Sequence, residues 1–261
     1  MVAQTFATAT DTAGTRLRRL TAGDITGALR AGRDDFMAAP TQLLFLCIIY
    51  PVFGFVLARA AGGGDLLPLI WPLLSGFALL GPLAALGLYE ISRRREAGMV
   101  PNWTDCFRVL QSPALPAIIA MGVLMVAIFA LWLVTARGIF WLTMGDVPNA
   151  SPGALLAEVL GTGAGWALLV LGNAAGFLFA TLVLAISTVS FPLLLDRNVT
   201  LAAAIATSWQ AFQENRMVML GWGLVVAAGL ALGMATLFVG LAVTLPILGH
   251  ATWHLYRRTV M

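Results

Sequence analysis

Pro82-Leu83-Ala84-Ala85-Leu86-Gly87-Leu88-Tyr89-Glu90-Ile91-Ser92-Arg93-Arg94 returns 164 residues later as Pro246-Ile247-Leu248-Gly249-His250-Ala251-Thr252-Trp253-His254-Leu255-Tyr256-Arg257-Arg258. Proline meets proline, Tyr89 meets Trp253 and the arginine pairs coincide without a gap. Each copy reads as a proline-bearing apolar helix closed by an aromatic belt and a basic stop. That is how a transmembrane helix ends at a cytoplasmic face. The chain therefore reads as an all-α polytopic membrane protein built from repeats.

Composition agrees. Of 261 residues, 60% are apolar and 10% charged, with mean hydropathy +0.90. A soluble domain carries roughly 25% charged residues, so lipid is the natural solvent. All 15 basic residues are arginine, and none form the basic, aromatic-interleaved surface of a nucleic-acid binder. Cys47 and Cys106 fall at different membrane levels, which argues against a disulfide, and neither has metal-site spacing. No signal-peptide pattern follows Arg18-Arg19. Residues 1–23 read as a disordered cytoplasmic tail.

A spanning helix needs about 20 apolar residues. Candidates are Thr41–Arg59 (containing Pro51), Leu66–Tyr89, Ala114–Thr135 and Trp166–Leu195. A polar-flecked stretch, Ala136–Gly165, reads as an outer-leaflet loop or a docking surface. Met217–Leu255 would be roughly 58 Å long as one helix, about twice the hydrocarbon thickness. Two helices with a turn near Gly233–Gly240 fit better and make six spans. The arginines then divide thirteen on one face to two, Arg59 and Arg137, on the other. That bias places both termini in the cytoplasm.

Short amphipathic stretches precede each hairpin. Ile25, Leu29, Gly32 and Phe36 form one stripe, with Arg30, Arg33, Asp34 and Asp35 off it and Asp24 as N-cap. Asn102–Leu110 occupies the second place. Leu201, Ile205, Trp209 and Phe212 form the third. They read as interfacial helices on the cytoplasmic leaflet or as connectors packed on the spans. The domain is a single six-span unit, 24–261, with repeats at about 24–98, 99–198 and 199–261. Pro82, Pro192 and Pro246 bend the second helix of each, and the parallel repeat suggests pseudo-threefold packing about the membrane normal.

Gly81–Arg94, preceded by Ala28-Leu29-Arg30-Ala31-Gly32-Arg33-Asp34-Asp35-Phe36, resembles a bacterial family of integral membrane proteins, common in proteobacteria, to which no function is assigned. The likeness runs from about residue 24 to the end, and its motif is Gly-Pro-Leu-Ala-x-x-Gly-Leu-Tyr-Glu. Leu201–Leu220 also looks like the membrane domains attached to some glycerophosphodiester phosphodiesterases, whose chemistry lies in a separate domain. Some members of the first family carry labels suggesting a cytochrome oxidase subunit. The many-histidine, twelve-span pattern of the catalytic oxidase subunit is not found in this sequence. Neither resemblance implies an activity.

Few residues could carry chemistry. His250 and His254, at i and i+4, have a spacing that can hold a metal or haem, against a plain reading of His254 as wet at headgroup level. Under threefold packing Glu90 could approach His254. Glu90 and Asp196 read as ion pairs with Arg93 or Arg94 and with Arg197, or as a proton site. Gly172 and Gly176 match the small-xxx-small pattern of close helix contact, although a polar pathway along Asn173, Thr181 and Ser190 is the alternative. Gly62-Gly63-Gly64 reads as a turn. No Ser/His/Asp set, paired mid-membrane carboxylates or phosphate loop is visible. The expectation is a non-enzymatic accessory, scaffold or assembly protein without cofactor or metal, partnered by lipid and by another membrane protein or its own copy. A small transporter or channel is the alternative, and a haem- or metal-associated redox subunit the second.

Overall fold

The computed structural model describes residues 16–39, 70–145, 151–236 and 238–261. The described residues form helices and the turns between them, with no strand and one isolated antiparallel bridge, Leu17 to Val260. In chain order the helices are α1 (Ala22–Ala38), α2 (Ile70–Phe77), a 3₁₀ turn (Ala78–Leu80), α3 (Gly81–Ala84), α4 (Leu86–Glu96), a 3₁₀ helix (Trp103–Gln111), α5 (Leu115–Met144), α6 (Pro152–Gly161), α7 (Gly163–Ser187), α8 (Ser190–Asp196), α9 (Leu201–Glu214), α10 (Arg216–Ala235) and α11 (Leu241–Thr259). Thr41–Arg59, the Gly62-Gly63-Gly64 turn and Cys47 lie outside the described residues. The Cys106 thiol is free.

Four helical runs among the described residues are long and apolar enough to cross a membrane: Ile70–Glu96, Leu115–Met144, Gly163–Asp196 and Arg216–Ala235. The third expected span is longer than its hydropathy suggested. Ala136–Met144, read as the start of a loop, continues α5, and only α6 is separate. At 1.5 Å per residue α5 extends about 45 Å. Thr135 and Thr143 return their hydroxyls to the Leu131 and Ile139 carbonyls at 2.8 Å each, so neither interrupts the helix.

Prolines shape two of the runs. A proline removes the hydrogen bond to the carbonyl four residues earlier. Four residues before Pro192 the chain turns at Thr188-Val189, between α7 and α8, and four before Pro82 it tightens into the 3₁₀ turn at Ala78. Pro246 lies within an unbroken α11.

The molecule has an open apolar layer and a dense polar-apolar cap. In the first, α5 exposes Ile119, Val123 and Val134, α7 exposes Val170, Phe177 and Leu178, and α10 exposes Leu224 and Leu232. Trp132 ties this layer together. Its indole donates to the Pro72 carbonyl at 2.9 Å and its ring meets Phe179. The cap forms where α4, α8 and α11 end. Those three helices touch one another pairwise, and the amphipathic segments clamp around them: α1 on α11, the 3₁₀ helix on α4, and α9 on α7 and α8. Tyr89, Phe191, Trp253 and Tyr256 are fully buried here.

Of the two readings of the amphipathic segments, the contacts are those of connectors packed on the spans. A Cβ on Gly32 would come within 2.5 Å of the Ala251 nitrogen, and one on Gly87 within 2.6 Å of the Cys106 Cβ. Only glycine permits backbones this close. On α9, Ser208 donates to the Ala185 carbonyl at 2.8 Å and accepts the Val189 amide at 3.2 Å. Thr21, not Asp24, is the N-cap of α1. Asp24 sits at N3, where its carboxylate reaches back to the Thr21 amide at 2.8 Å, the reciprocal half of a capping box.

Residues 16–21, assigned from sequence to a tail, belong to the cap. The Arg18 amide donates to the Thr259 carbonyl and the Met261 amide to the Arg16 carbonyl. Buried Asn215 accepts the Leu20 amide at 2.6 Å. Both described ends of the chain therefore lie on the same side.

Candidate functional site

The cap holds three polar clusters. The deepest joins α1, α4 and α11. Asp35 is 3% exposed and lies on the buried face of α1, not on the solvent face the stripe suggested. One of its carboxylate oxygens accepts the Ser92 hydroxyl at 2.5 Å and meets His254 Nε2 at 2.7 Å; the other accepts from Arg95. Ser92, fully buried, also contacts His250 Nδ1 at 2.8 Å. A serine has one proton. With that proton on Asp35, His250 must donate from Nδ1, which leaves its Nε2 as a bare acceptor. That atom is buried, without a partner of hydrogen-bond geometry among the described residues.

Burial opposes the Asp35 charge, but the hydrogen bonds from His254, Ser92 and Arg95 outweigh it and hold the carboxyl below its ordinary range. The cluster brings together the serine, histidine and aspartate that the sequence did not show as a set. Its order is not that of a catalytic triad, in which the histidine stands between nucleophile and carboxylate. Here the serine stands between them, fully buried, with its proton directed at Asp35. The arrangement locks α1, α4 and α11 together.

The second cluster joins the ends of α4, α8 and α11. Glu96 accepts from the Trp253 indole at 3.1 Å and from Arg257 at 3.0 Å. Asp196 accepts from the Tyr256 hydroxyl at 2.7 Å and from Arg257 at 3.3 Å, with Arg197 at 3.9 Å. The third lies between α4 and the 3₁₀ helix. Glu90, 2% exposed, receives two bonds from Arg93, at 2.8 and 3.0 Å. Asp105 receives the Arg108 Nε at 2.7 Å and the Asn102 amide at 2.9 Å. Its carboxyl is held low by that backbone bond, against the opposing effect of burial, with help from Arg108 and Arg94.

Several expectations are thereby relocated. His254 is not wet: it is bound to Asp35. Glu90 does not meet His254, because Arg93 occupies its carboxylate. His250 and His254 share a cluster but not a ligand geometry, and no three His, Cys, Asp or Glu side chains converge as metal ligands among the described residues. Gly176 packs on Trp132, with a Cβ there 3.3 Å from the indole, whereas a Cβ on Gly172 would meet nothing within 4 Å. Asp35 and Ser92 were missed because they stand 57 residues apart on separate helices. Only the mismatch of an aspartate one residue from an apolar stripe pointed to either.

The exposed apolar belt over a polar cap is the surface of a membrane protein, and one comparison agrees. Residues 70–196 match a family described as predicted integral membrane protein (DUF2189). The match runs from α2 to the end of α8. It includes Glu90, Ser92, Asp105 and Asp196 and leaves out α1 and α11, which supply Asp35, His250 and His254. No curated protein and no solved structure matches the chain.

Proposed function

We propose that this protein is a non-enzymatic inner-membrane accessory or assembly component, with six spans, both termini cytoplasmic, and a packed cytoplasmic cap. The observation that carries this reading is the contrast between the two layers. The cap's carboxylates and histidines are engaged with neighbouring side chains. Among the described residues the spans show exposed apolar faces, and no row of ionisable side chains of the kind a conducting path uses lines them. A protein so built has surfaces for other helices and none shaped for turnover.

Two observations support the architecture. Ends that lie together require an even number of crossings. The four apolar runs, α11 and the sequence-read span at Thr41–Arg59 make six. The clamps also follow a cyclic rule, since each amphipathic segment packs on the second span of the preceding repeat and α1 closes the ring on α11. The alignment of Pro82 with Pro246 carries Gly87 onto Ala251, and these are the residues met by Cys106 and Gly32. The middle copy follows a different register. Its hydrogen bonds, at Ala185, Val189 and Ser190, precede Pro192, whereas Pro82 and Pro246 precede their contacts.

Gentle extraction from native membranes should recover the protein with a second membrane protein or its own copies, and reconstituted vesicles should show no specific ion flux. Reporter fusions after Gly98, Asn198 and Met261 should read cytoplasmic, and after Gly63 and Asp146 periplasmic. A monomer with saturable flux that Glu90→Gln abolishes would replace this reading with the transporter.

A further inference from the structure

Between the end of α4, the 3₁₀ helix, the start of α5 and the end of α8 lies a cavity of about 350 Å³. One wall is basic and polar, with Arg93, Arg94, Arg108, Gln111 and Asn198. The other is apolar, with Pro113, Ala114 and Leu194. Glu90 and Asp196 also line it, so its charge must be counted atom by atom.

Glu90 is engaged by two nitrogens of Arg93, and Asp105 by Arg108. Asp196 is taken by Tyr256 and Arg257. Arg94 is left over. Its side chain is 21% exposed, and it approaches Glu90 only to 3.9 Å and Asp105 only to 3.5 Å. Its Nε is buried and has no hydrogen-bond partner among the described residues. Three guanidiniums thus face Glu90 and Asp105, already bonded to Arg93 and Arg108, and Asp196, bonded to Tyr256 and Arg257, and the remaining N–H groups of Arg93, Arg94 and Arg108 border a cavity. A largely buried guanidinium Nε with only a long ion-pair contact and no hydrogen bond is costly, and an oxyanion that accepts several N–H bonds at once relieves that cost.

We propose that this cavity binds the phosphate of an anionic ligand, with Arg94 as the central donor flanked by Arg93 and Arg108. Phosphate matches because its oxygens can accept from several guanidiniums together, and because a cavity with one basic and one apolar wall suits a headgroup with the root of its acyl chains. The same chemistry could be met by a phospholipid of the adjacent leaflet or by a phosphate in solution. The inference is independent of the accessory role, since it concerns the purified chain alone.

The test uses the full chain in a neutral detergent, titrated with inorganic phosphate and separately with phosphatidylglycerol or phosphatidylcholine micelles. Binding is read by calorimetry and by the shift in thermal unfolding. Phosphatidylglycerol should bind and raise the unfolding temperature, with Arg94→Gln and Arg108→Gln each weakening it at least about tenfold. Arg30→Gln, on the exposed face of α1, should leave it unchanged. Arg108 is half exposed, so its variant remains informative if Arg94→Gln fails to fold. Binding of phosphatidylglycerol without inorganic phosphate assigns the site to lipid, and binding of both assigns it to the phosphate group itself. Binding of neither, a response to phosphatidylcholine equal to that to phosphatidylglycerol, or binding by both variants as tight as by the native protein overturns the proposal.

Discussion

Replacing Asp35 with alanine should loosen the cap more than any other single truncation on α1. The carboxylate accepts from Ser92, His254 and Arg95 at 3% exposure. A hydrogen bond to a charged group contributes about 1.5–3 kcal/mol net. Arg95 is 37% exposed on its side chain, so water can rehydrate it and its share is discounted. The bonds to Ser92 and His254 remain, and both partners would be left buried. Together these give a loss of about 3–5 kcal/mol, the range for breaking a buried pair from one side. For a chain of this size that corresponds to roughly 10 °C in unfolding temperature, measurable by circular dichroism in detergent. Ser92→Ala should cost less, about 1–3 kcal/mol, and the double variant should cost less than the two singles combined because both remove one bond. A Asp35→Ala variant melting within about 2 °C of the native protein, or additivity in the cycle, would refute the view that this carboxylate holds α1, α4 and α11 together.

Acid should weaken the same cluster. Asp35 is held below its ordinary range, so its contribution is fully present above the unfolded value of about 3.9 and is lost as pH falls through the lower folded value. A pH series of unfolding temperatures should show that acid loss, and Asp35→Asn should reduce it. His250→Ala should destabilise by about 2–4 kcal/mol through a cavity and the loss of the ring's bond to Ser92, as read by the same melts. Gly176→Leu should disturb the Trp132 contact and lower the unfolding temperature of the purified chain. Gly172→Leu should leave that temperature unchanged, and any loss of a co-extracted partner in native gels would place the partner at that face.

The split between what was legible and what was not follows the range of the interactions. Class, apolar spans and the α10–α11 break were readable because hydropathy and length act locally: a run of apolar residues needs lipid whatever surrounds it. The Glu90–Arg93 pair was readable for the same reason, since residues three apart share a helix face, whereas Asp196 takes its hydrogen bonds from Tyr256 and Arg257 on α11. The end of α5 was misplaced because one arginine and two threonines lower hydropathy without breaking a helix.

Asp35, Ser92 and His250 could not be joined from sequence, because no spacing rule connects residues on helices that meet only when the cap closes. By itself the sequence determined that this is a helical membrane protein with long apolar runs. Only the tertiary structure decided that the amphipathic segments are clamps and that Arg94 Nε is buried without a hydrogen bond among the described residues. Burial is what separates the two: a polar group's partner is dictated by the groups that lose water beside it, and those are chosen by packing.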